Sequence, residues 1–446
     1  MAKYFGTDGV RGVVNDQLSC ELAFRIGQAC GCELGKKIFI GRDSRLSGDM
    51  LLCALAAGAM SQGASIVNGG IIPTPGVAFH TKGGDYDCGI VISASHNAPK
   101  YNGIKIFNSQ GDKLSDEFQD KIEAFIELKD DCIKSCGACE IGQMSYLHSA
   151  AQDYIEYCIA SLQAMEANKA FSGLKIVVDP GYGAAVNTTA TALRSLGSEV
   201  IVINDSFDGS KINVNCGSTH LDQLKRVVLE NNAHIGIAHD GDADRVIFVD
   251  EQGSELDGDY ILALLALDLK RRDLLFGNTV VGTVMCNLGF VKAMQKADIT
   301  LVQTDVGDKN VLQAMRNGGY NLGGEQSGHI VLLDHNTTGD GLMCALHFIA
   351  AWKNLGGKLS EASNVVDKYP QVLINVSVNK KGEFANNEII NVEIQKCKEE
   401  LGEDGRVLVR ESGTEPLVRV MVEAKTQDLA SKYSNDLAEV VKNNLN

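Results

Sequence analysis

The stretch Gly89-Ile90-Val91-Ile92-Ser93-Ala94-Ser95-His96-Asn97 decides how the rest of the chain is read. Its apolar, β-branched start is the pattern of a buried strand in a largely parallel sheet covered by helices. The run then breaks into two serines, a histidine and an asparagine. Loops at the carboxyl ends of parallel strands are where such sheets place ligands, so this loop is a candidate site. The neighbouring Ser95 and His96 do not by themselves mark a hydrolase, because triad partners come from distant parts of a chain. Lys105 follows in Asn102-Gly103-Ile104-Lys105 and could serve as an acid/base or a phosphate counter-charge if it folds back over Ser95.

Outward from this loop, strands are expected at Lys37–Ile40 and Ser65–Val67, with a helix starting near Gly48 and running through Met50–Met60. The scheme recurs with strands Leu174–Asp179, Glu199–Asn204, His234–Ala238 and Arg245–Asp250 and a helix around Ala184–Leu196. It recurs again with strands Thr279–Met285 and Thr300–Thr304 and helices near Val291–Lys296 and Val311–Asn317. After Pro370 the order becomes strand Val372–Val378, helix Asn387–Leu401, strands Arg406–Arg410 and Val418–Ala424, and a closing helix from Gln427. The expectation is therefore three related α/β domains with mixed or parallel sheets (1–150, 151–253, 254–367) and a smaller C-terminal α+β domain (368–446).

A chain of 446 residues with 44% hydrophobic and 22% charged content can bury several cores. A net charge of −16 argues against nucleic acid and anionic membranes as partners, so an anionic substrate needs a local basic pocket. The most apolar run, Ile261 to Leu269, contains an Asp and is too short to span a bilayer, and the N-terminal residues lack an apolar signal core. Thirteen cysteines fit free thiols in a reducing compartment, and a cytoplasmic location is expected. Cys132, Cys136 and Cys139 have the C-x3-C-x2-C spacing of radical-SAM iron–sulfur sites, but they lie in a polar loop rather than after the first strand of a barrel. Three exposed or half-buried free thiols are expected there.

The sharpest chemical signal is His239-Asp240-Gly241-Asp242-Ala243-Asp244-Arg245, which sets three carboxylates at alternate positions between two apolar strands. Three hard oxygens suit Mg²⁺, and three like charges so close are costly without a cation. An EF-hand needs Gly at loop position six, where Arg245 stands, so that reading fails. Gly323-Gly324-Glu325-Gln326-Ser327-Gly328-His329 offers carboxylate, amide and hydroxyl groups, which is what sugar hydroxyls pair with. Arg410-Glu411-Ser412-Gly413-Thr414-Glu415-Pro416, with Arg419 beyond it, combines hydroxyls, backbone amides and guanidinium groups in an anion cradle. Two early segments, Thr7-Asp8-Gly9-Val10-Arg11-Gly12 and Gly41-Arg42-Asp43-Ser44-Arg45, also place arginines beside glycines at turns.

Taken in order, the serine loop, DGDADR, GEQSGH and RESGTEP resemble the α-D-phosphohexomutase superfamily from end to end. That resemblance implies a heart-shaped molecule with the active site in a central cleft and one loop from each domain. It implies that Ser95 is carried as phosphoserine and that one Mg²⁺ is held by its phosphate with Asp240, Asp242 and Asp244. Glu325, Gln326 and Ser327 would face the sugar, Arg410, Ser412, Gly413, Thr414 and Arg419 would grip the non-transferring phosphate, and Arg11, Lys105, Arg245 and His329 would surround the reacting groups. The implied reaction interconverts glucosamine 6-phosphate and glucosamine 1-phosphate through a sugar 1,6-bisphosphate that also acts as activator, feeding nucleotide-sugar and cell-wall precursor synthesis. Glucose or mannose phosphates, or phosphosugar hydrolysis, are the alternatives; Gln326 is similar to the amino-sugar members, where the others more often carry Met. Family members are often homodimers.

Three departures stand out. Ala98 replaces the Pro usual after His-Asn, Ala243 replaces a common Gly and is tolerable there if its φ lies below zero, and Asp179-Pro180-Gly181-Tyr182-Gly183-Ala184 replaces a Cys-Ala-Asn-Gly version and is expected to be a structural turn.

Overall fold

A computed structural model of the chain describes residues 3–6, 8–162, 170–380, 382–412 and 416–446. The chain divides into two compact units, one made of 1–285 with 299–364 and the other of 286–298 with 365–446.

In the larger unit the first sheet runs in the order Phe5–Gly6, Gly9–Val13, Tyr101–Asn108, Cys88–Ile92, Lys37–Arg42, Ser65–Ile71, Met144–Tyr146. Alternation along Lys37–Arg42 explains the layering. Ile38 and Ile40 join the core with Ile26, Leu51 and Leu55 of helices Cys20–Glu33 and Gly48–Ser61. Phe39 points the other way and stacks on His80 of helix Thr74–Gly83, with ring centroids 4.9 Å apart. The second sheet runs Glu255–Leu256, Val246–Asp250, Ile235–His239, Lys175–Asp179, Glu199–Val202. The third runs Thr300–Thr304, Thr279–Thr283, Leu322–Gly324, Ile330–Leu332.

These three sheets share one construction. Cys88–Ile92 pairs in parallel with Lys37–Arg42 and antiparallel with the strand that follows it, Tyr101–Asn108. Ile235–His239 does the same between Lys175–Asp179 and Val246–Asp250, and Leu322–Gly324 between Thr279–Thr283 and Ile330–Leu332. In each case the turn from parallel strand to antiparallel strand carries one of the sequence-derived site loops.

The sequence pattern misses several elements, among them the short strands Phe5–Gly6, Leu322–Gly324 and Ile330–Leu332, too short to show a period, the longer strand Tyr101–Asn108, helix Cys20–Glu33, and two long apolar helices. Helices Gly258–Arg271 and Gly341–Leu355 are apolar almost all round and buried, so they lack the polar face that marks a surface helix. Asp268, the charge inside the most apolar run, is buried and accepts a hydrogen bond from Arg272 at 2.9 Å.

The smaller unit carries an antiparallel sheet in the order Gln371–Ser377, Leu417–Ala424, Gly405–Glu411, packed on helices Glu388–Leu401 and Gln427–Leu445 around Val418, Val420, Val422, Ile390 and Leu437. Helix Leu288–Lys296 belongs to this unit, where buried Glu423 accepts from Asn287 Nδ2 and Leu288 N, both at 3.1 Å.

Candidate active site

Ser95 lies at the end of its strand, 1% exposed, in the left-handed region with φ of 50°. The position is held by its surroundings. Buried Arg45 donates to the carbonyls of Ser95 (2.9 Å), Asn97 (2.7 Å), Ala98 (2.7 Å) and Tyr101 (2.9 Å), and its own charge is balanced by Asp43 at 2.9 Å. Asn213 Nδ2 donates to the same Ser95 carbonyl at 2.8 Å. Ser93 Oγ donates to Asp43 and accepts from the Ser95 amide at 2.9 Å, so the loop is clamped from below. With Ala98 in place of Pro the turn closes by ordinary hydrogen bonds, Asn97 N to Ala94 O and Tyr101 N to Ala98 O.

The Ser95 hydroxyl donates to Asp240 Oδ2 at 2.6 Å. Such an approach requires the two loops to touch backbone to backbone, and a Cβ on Gly241 would lie only 2.7 Å from the Ser95 carbonyl oxygen. The turn after Asp179 supports this contact from behind: Ala184 N donates to Gly241 O at 2.8 Å, and Asp179 takes the amides of Gly181 and Gly217, both at 2.9 Å. It is a structural turn, as its sequence suggests.

Asp240, Asp242 and Asp244 each offer a carboxylate oxygen, and these oxygens lie within 4.8 Å of one another. All three residues are buried. Burial, with Asp244 and Asp242 alongside, pushes Asp240 well above the usual carboxylate range. Burial would raise Asp244 too, but Lys105, His329 and Arg245 outweigh it and bring it to about 2. Asp242 Oδ2 accepts from Thr74 Oγ1 (2.5 Å) and Lys105 Nζ (2.7 Å), and Asp244 Oδ2 accepts from Lys105 Nζ at 3.1 Å. Oδ1 of Asp242 and Oδ1 of Asp244 are buried and accept no hydrogen bond. Two orphaned carboxylate oxygens beside a third buried acid are the donor set of a hard divalent cation, so the residues fit a metal ion. The loop is a hairpin turn between strands rather than a helix-flanked EF-hand.

One condition set for this loop is not met. Ala243 has a φ of 55°, not a negative value. The turn that brings Asp242 and Asp244 round to Asp240 needs a left-handed residue, fixed by Ala243 N to Asp240 O at 3.1 Å and Gly341 N to Ala243 O at 3.0 Å. The methyl group is accommodated at a cost of roughly 1–2 kcal/mol relative to a residue without Cβ.

Lys105 folds back over this site, 2% exposed, and its Nζ also meets Asp8 Oδ2 at 3.0 Å. Burial opposes its charge, but Asp242, Asp244 and Asp8 prevail and hold its pKa well above the ordinary lysine value. Arg11 pairs with Asp8, and Arg245 lies with Nε 3.8 Å from Asp244 Oδ1. His96 Nδ1 is 3.3 Å from Ser95 Oγ; burial and the neighbouring Arg245 and Arg11 push its pKa down to about 4.

The third loop turns at Glu325–His329, with Gly328 at φ 87°. Glu325 Oε1 accepts from Gly307 N at 3.0 Å, Gln326 Nε2 donates to Asp259 Oδ2 at 3.3 Å, and Ser327 is exposed. His329 is 4% exposed and its Nε2 lies 3.6 Å from Asp308 Oδ2. In the smaller unit the strand register sets Arg410 directly opposite Arg419, and Ser412 is buried. Gly413 and Thr414 lie outside the described residues.

Sequence reasoning brings Ser95, the three acids, Lys105, Arg11, Arg245 and His329 into one region of the larger unit. It passes over Lys113, Asp308, Thr74 and Asn213, each an isolated polar residue whose partners lie far along the chain. Asp8 stands in a quoted segment beside its partner Arg11 but is given no role there, and the turn containing Arg45 gives the other local hint. Cys132 and Cys139 are exposed and Cys136 half-buried, all free, and they form no metal-holding group among the described residues.

The chain matches four family models in order: the phosphoglucomutase/phosphomannomutase alpha/beta/alpha domain I over residues 2–131, domain II over 152–253, domain III over 257–369, and the C-terminal domain over 373–440. The chain belongs to the phosphoglucomutase/phosphomannomutase family. Among curated members of this family it is 48% identical to the phosphoglucosamine mutase of Thermoanaerobacter sp. (strain X514) and 45% identical to that of Clostridioides difficile (strain 630), each match covering 100% of both chains. Family folds among solved structures agree. A phosphoglucomutase/phosphomannomutase family protein from Burkholderia thailandensis superposes with a TM-score of 0.81 at 24% identity, covering 99% of this chain and 98% of the other. The Aspergillus fumigatus N-acetylphosphoglucosamine mutase, solved with GlcNAc-6P and magnesium, gives 0.69 at 17% identity, covering 100% and 96%. The chain is thus a phosphosugar mutase.

Proposed function

We propose that the enzyme interconverts glucosamine 6-phosphate and glucosamine 1-phosphate through a phosphoserine at Ser95. The observation that carries the reading is the Ser95 hydroxyl 2.6 Å from Asp240, at the edge of a buried acidic triad with two carboxylate oxygens left over. Phosphorylation removes the donated hydrogen and adds a charge of about −1.5 to −2 beside Asp240, an arrangement that asks for a cation. Asp240, Asp242 and Asp244 would hold Mg²⁺ together with the phosphate, and the ion when bound would neutralise charge on the transferring group.

In the forward direction the sugar's free hydroxyl takes the phosphoryl from Ser95, breaking the Oγ–P bond and giving a 1,6-bisphosphate. The intermediate turns around, and Ser95 recovers a phosphoryl from the other position. Lys105, kept charged by three acids, serves as counter-charge, and His329 in its neutral form, whose Nε2 has no hydrogen-bond partner, would receive the hydroxyl proton. Glu325, Gln326 and Ser327 would face the sugar. Arg410 and Arg419, at one register position of the ladder, with Ser412, Gly413 and Thr414, would hold the non-transferring phosphate. Thirteen free cysteines support a cytoplasmic location, and among the described residues no helix is long and apolar enough to cross a membrane.

Intact-mass measurement of wild type and Ser95→Ala, with a coupled assay on glucosamine, glucose and mannose phosphates, tests the reading. Phosphate release equal to substrate loss would turn it into a hydrolase. Preference for glucose or mannose phosphates would move the substrate within the family, and light scattering of the purified protein would test the homodimer.

A further inference from the structure

We infer that Lys113 is a positioning residue for the phosphoryl transfer, acting at the middle of an alternating chain of charges that joins Lys105 to His329. The chain runs from Asp242 and Asp244 to Lys105, to Asp8, to Lys113, to Asp308, and ends 3.6 Å away at His329 Nε2. Lys113 Nζ contacts both Asp8 Oδ1 and Asp308 Oδ2. The inference rests on the mutase reading of the site, because it gives Lys105 and His329 their roles there.

Three features set this chain apart from surface ion pairs. Its central side chains are withdrawn from solvent, with exposures of 21% for Asp8, 19% for Lys113 and 18% for Asp308. It bridges separate parts of the larger unit, because Lys113 follows strand Tyr101–Asn108 whereas Asp308 opens helix Asp308–Gly318 beside the third sheet. It also touches a candidate reacting group at each end. Lys113, Asp308 and His329 line one cavity of about 400 Å³. Removing the central cation would leave Asp8 and Asp308 without it. Asp8 would then pull harder on Lys105, drawing its Nζ off the Oδ2 atoms of Asp242 and Asp244, and the first turn of the helix would be free to carry Asp308 away from His329.

The expected consequence is a loss in turnover rather than in binding. Lys113→Met should lower kcat by roughly 100-fold, the scale that an ångström of misplacement costs, with KM little changed. Lys113→Arg, which keeps the charge, should restore most of it. The control is Lys121→Met, which breaks an exposed helical pair with Glu117 outside the cavity lining and should leave turnover at the wild-type value. Asp308→Asn cuts the chain at its next joint and carries the test should Lys113→Met fail to fold. It should lose turnover similarly, and the double variant should lose no more than the worse single. Wild-type kcat in folded Lys113→Met or in Asp308→Asn, equal impairment of the Arg and Met variants, or equal losses at Lys113 and Lys121 would each overturn the inference. A wild-type enzyme that neither carries phosphate on Ser95 nor interconverts the sugar phosphates would instead sink the reading beneath it.

Discussion

Ser95 and Ala243 are both non-glycine residues in the left-handed region, with φ of 50° and 55°, and they sit in equivalent turns of two sheets whose loops meet. At Ser95 the side chain is the point of the conformation: the left-handed backbone aims Oγ at Asp240, and Arg45, Asn213 and Ser93 fix it there. At Ala243 the side chain is a buried methyl with no chemical task, and what matters is the path of the backbone on either side. Strain of similar size is thus kept in one loop for a functional group and tolerated in the other because the surrounding hydrogen bonds dictate the turn.

The largest effect that would break this comparison is at Ser95 itself. Ser95→Ala and Ser95→Gly should both lose turnover by at least about 10⁴-fold and both lack the phosphate mass, although only glycine relaxes the backbone. Activity in Ser95→Gly would show that the loop conformation, not the hydroxyl, is what the enzyme needs. Arg45→Met, read by chemical denaturation, should cost about 3–5 kcal/mol, because it leaves Asp43 buried without its cation and takes one donor from each of four carbonyls. In the metal loop, adding MgCl₂ to chelator-treated protein should raise the thermal midpoint, by the equivalent of about 2.7 kcal/mol at a hundred times the dissociation constant, and Asp242→Asn should lose most of that gain. The smallest expected change is at Ala243: replacement by Gly should stabilise the protein by about 1 kcal/mol in the same denaturation experiment, with turnover unchanged. Loss of activity there would mean that the methyl group has a role after all.

Much of this site is legible in sequence because its loops are local. A buried strand followed by Ser-Ala-Ser-His-Asn, or three alternate acids between two apolar runs, announces itself within a dozen residues. The supports are not local. Asp8 meets Lys105 and Lys113, and Lys113 meets Asp308, across separations that carry no periodic signal. Backbone conformation is equally hidden. Whether the residue between Asp242 and Asp244 turns left-handed depends on the carbonyls and amides around it, so the sign of φ at Ala243 is not legible in the sequence. The two apolar helices escape for the opposite reason, since burial on all sides erases the polar stripe from which a helix is read.

The shared construction of the three sheets has a consequence for how such an enzyme can change. Each working segment is a reversal of direction whose two ends are already anchored in a ladder, so its few residues can be exchanged without disturbing the strands that carry them. On the proposed roles, selection for a different sugar can therefore act on residues 325–327 while His329 and the reversals at 93–100 and 240–245 stay as they are, so that the choice of substrate can change with little disturbance of the chemistry.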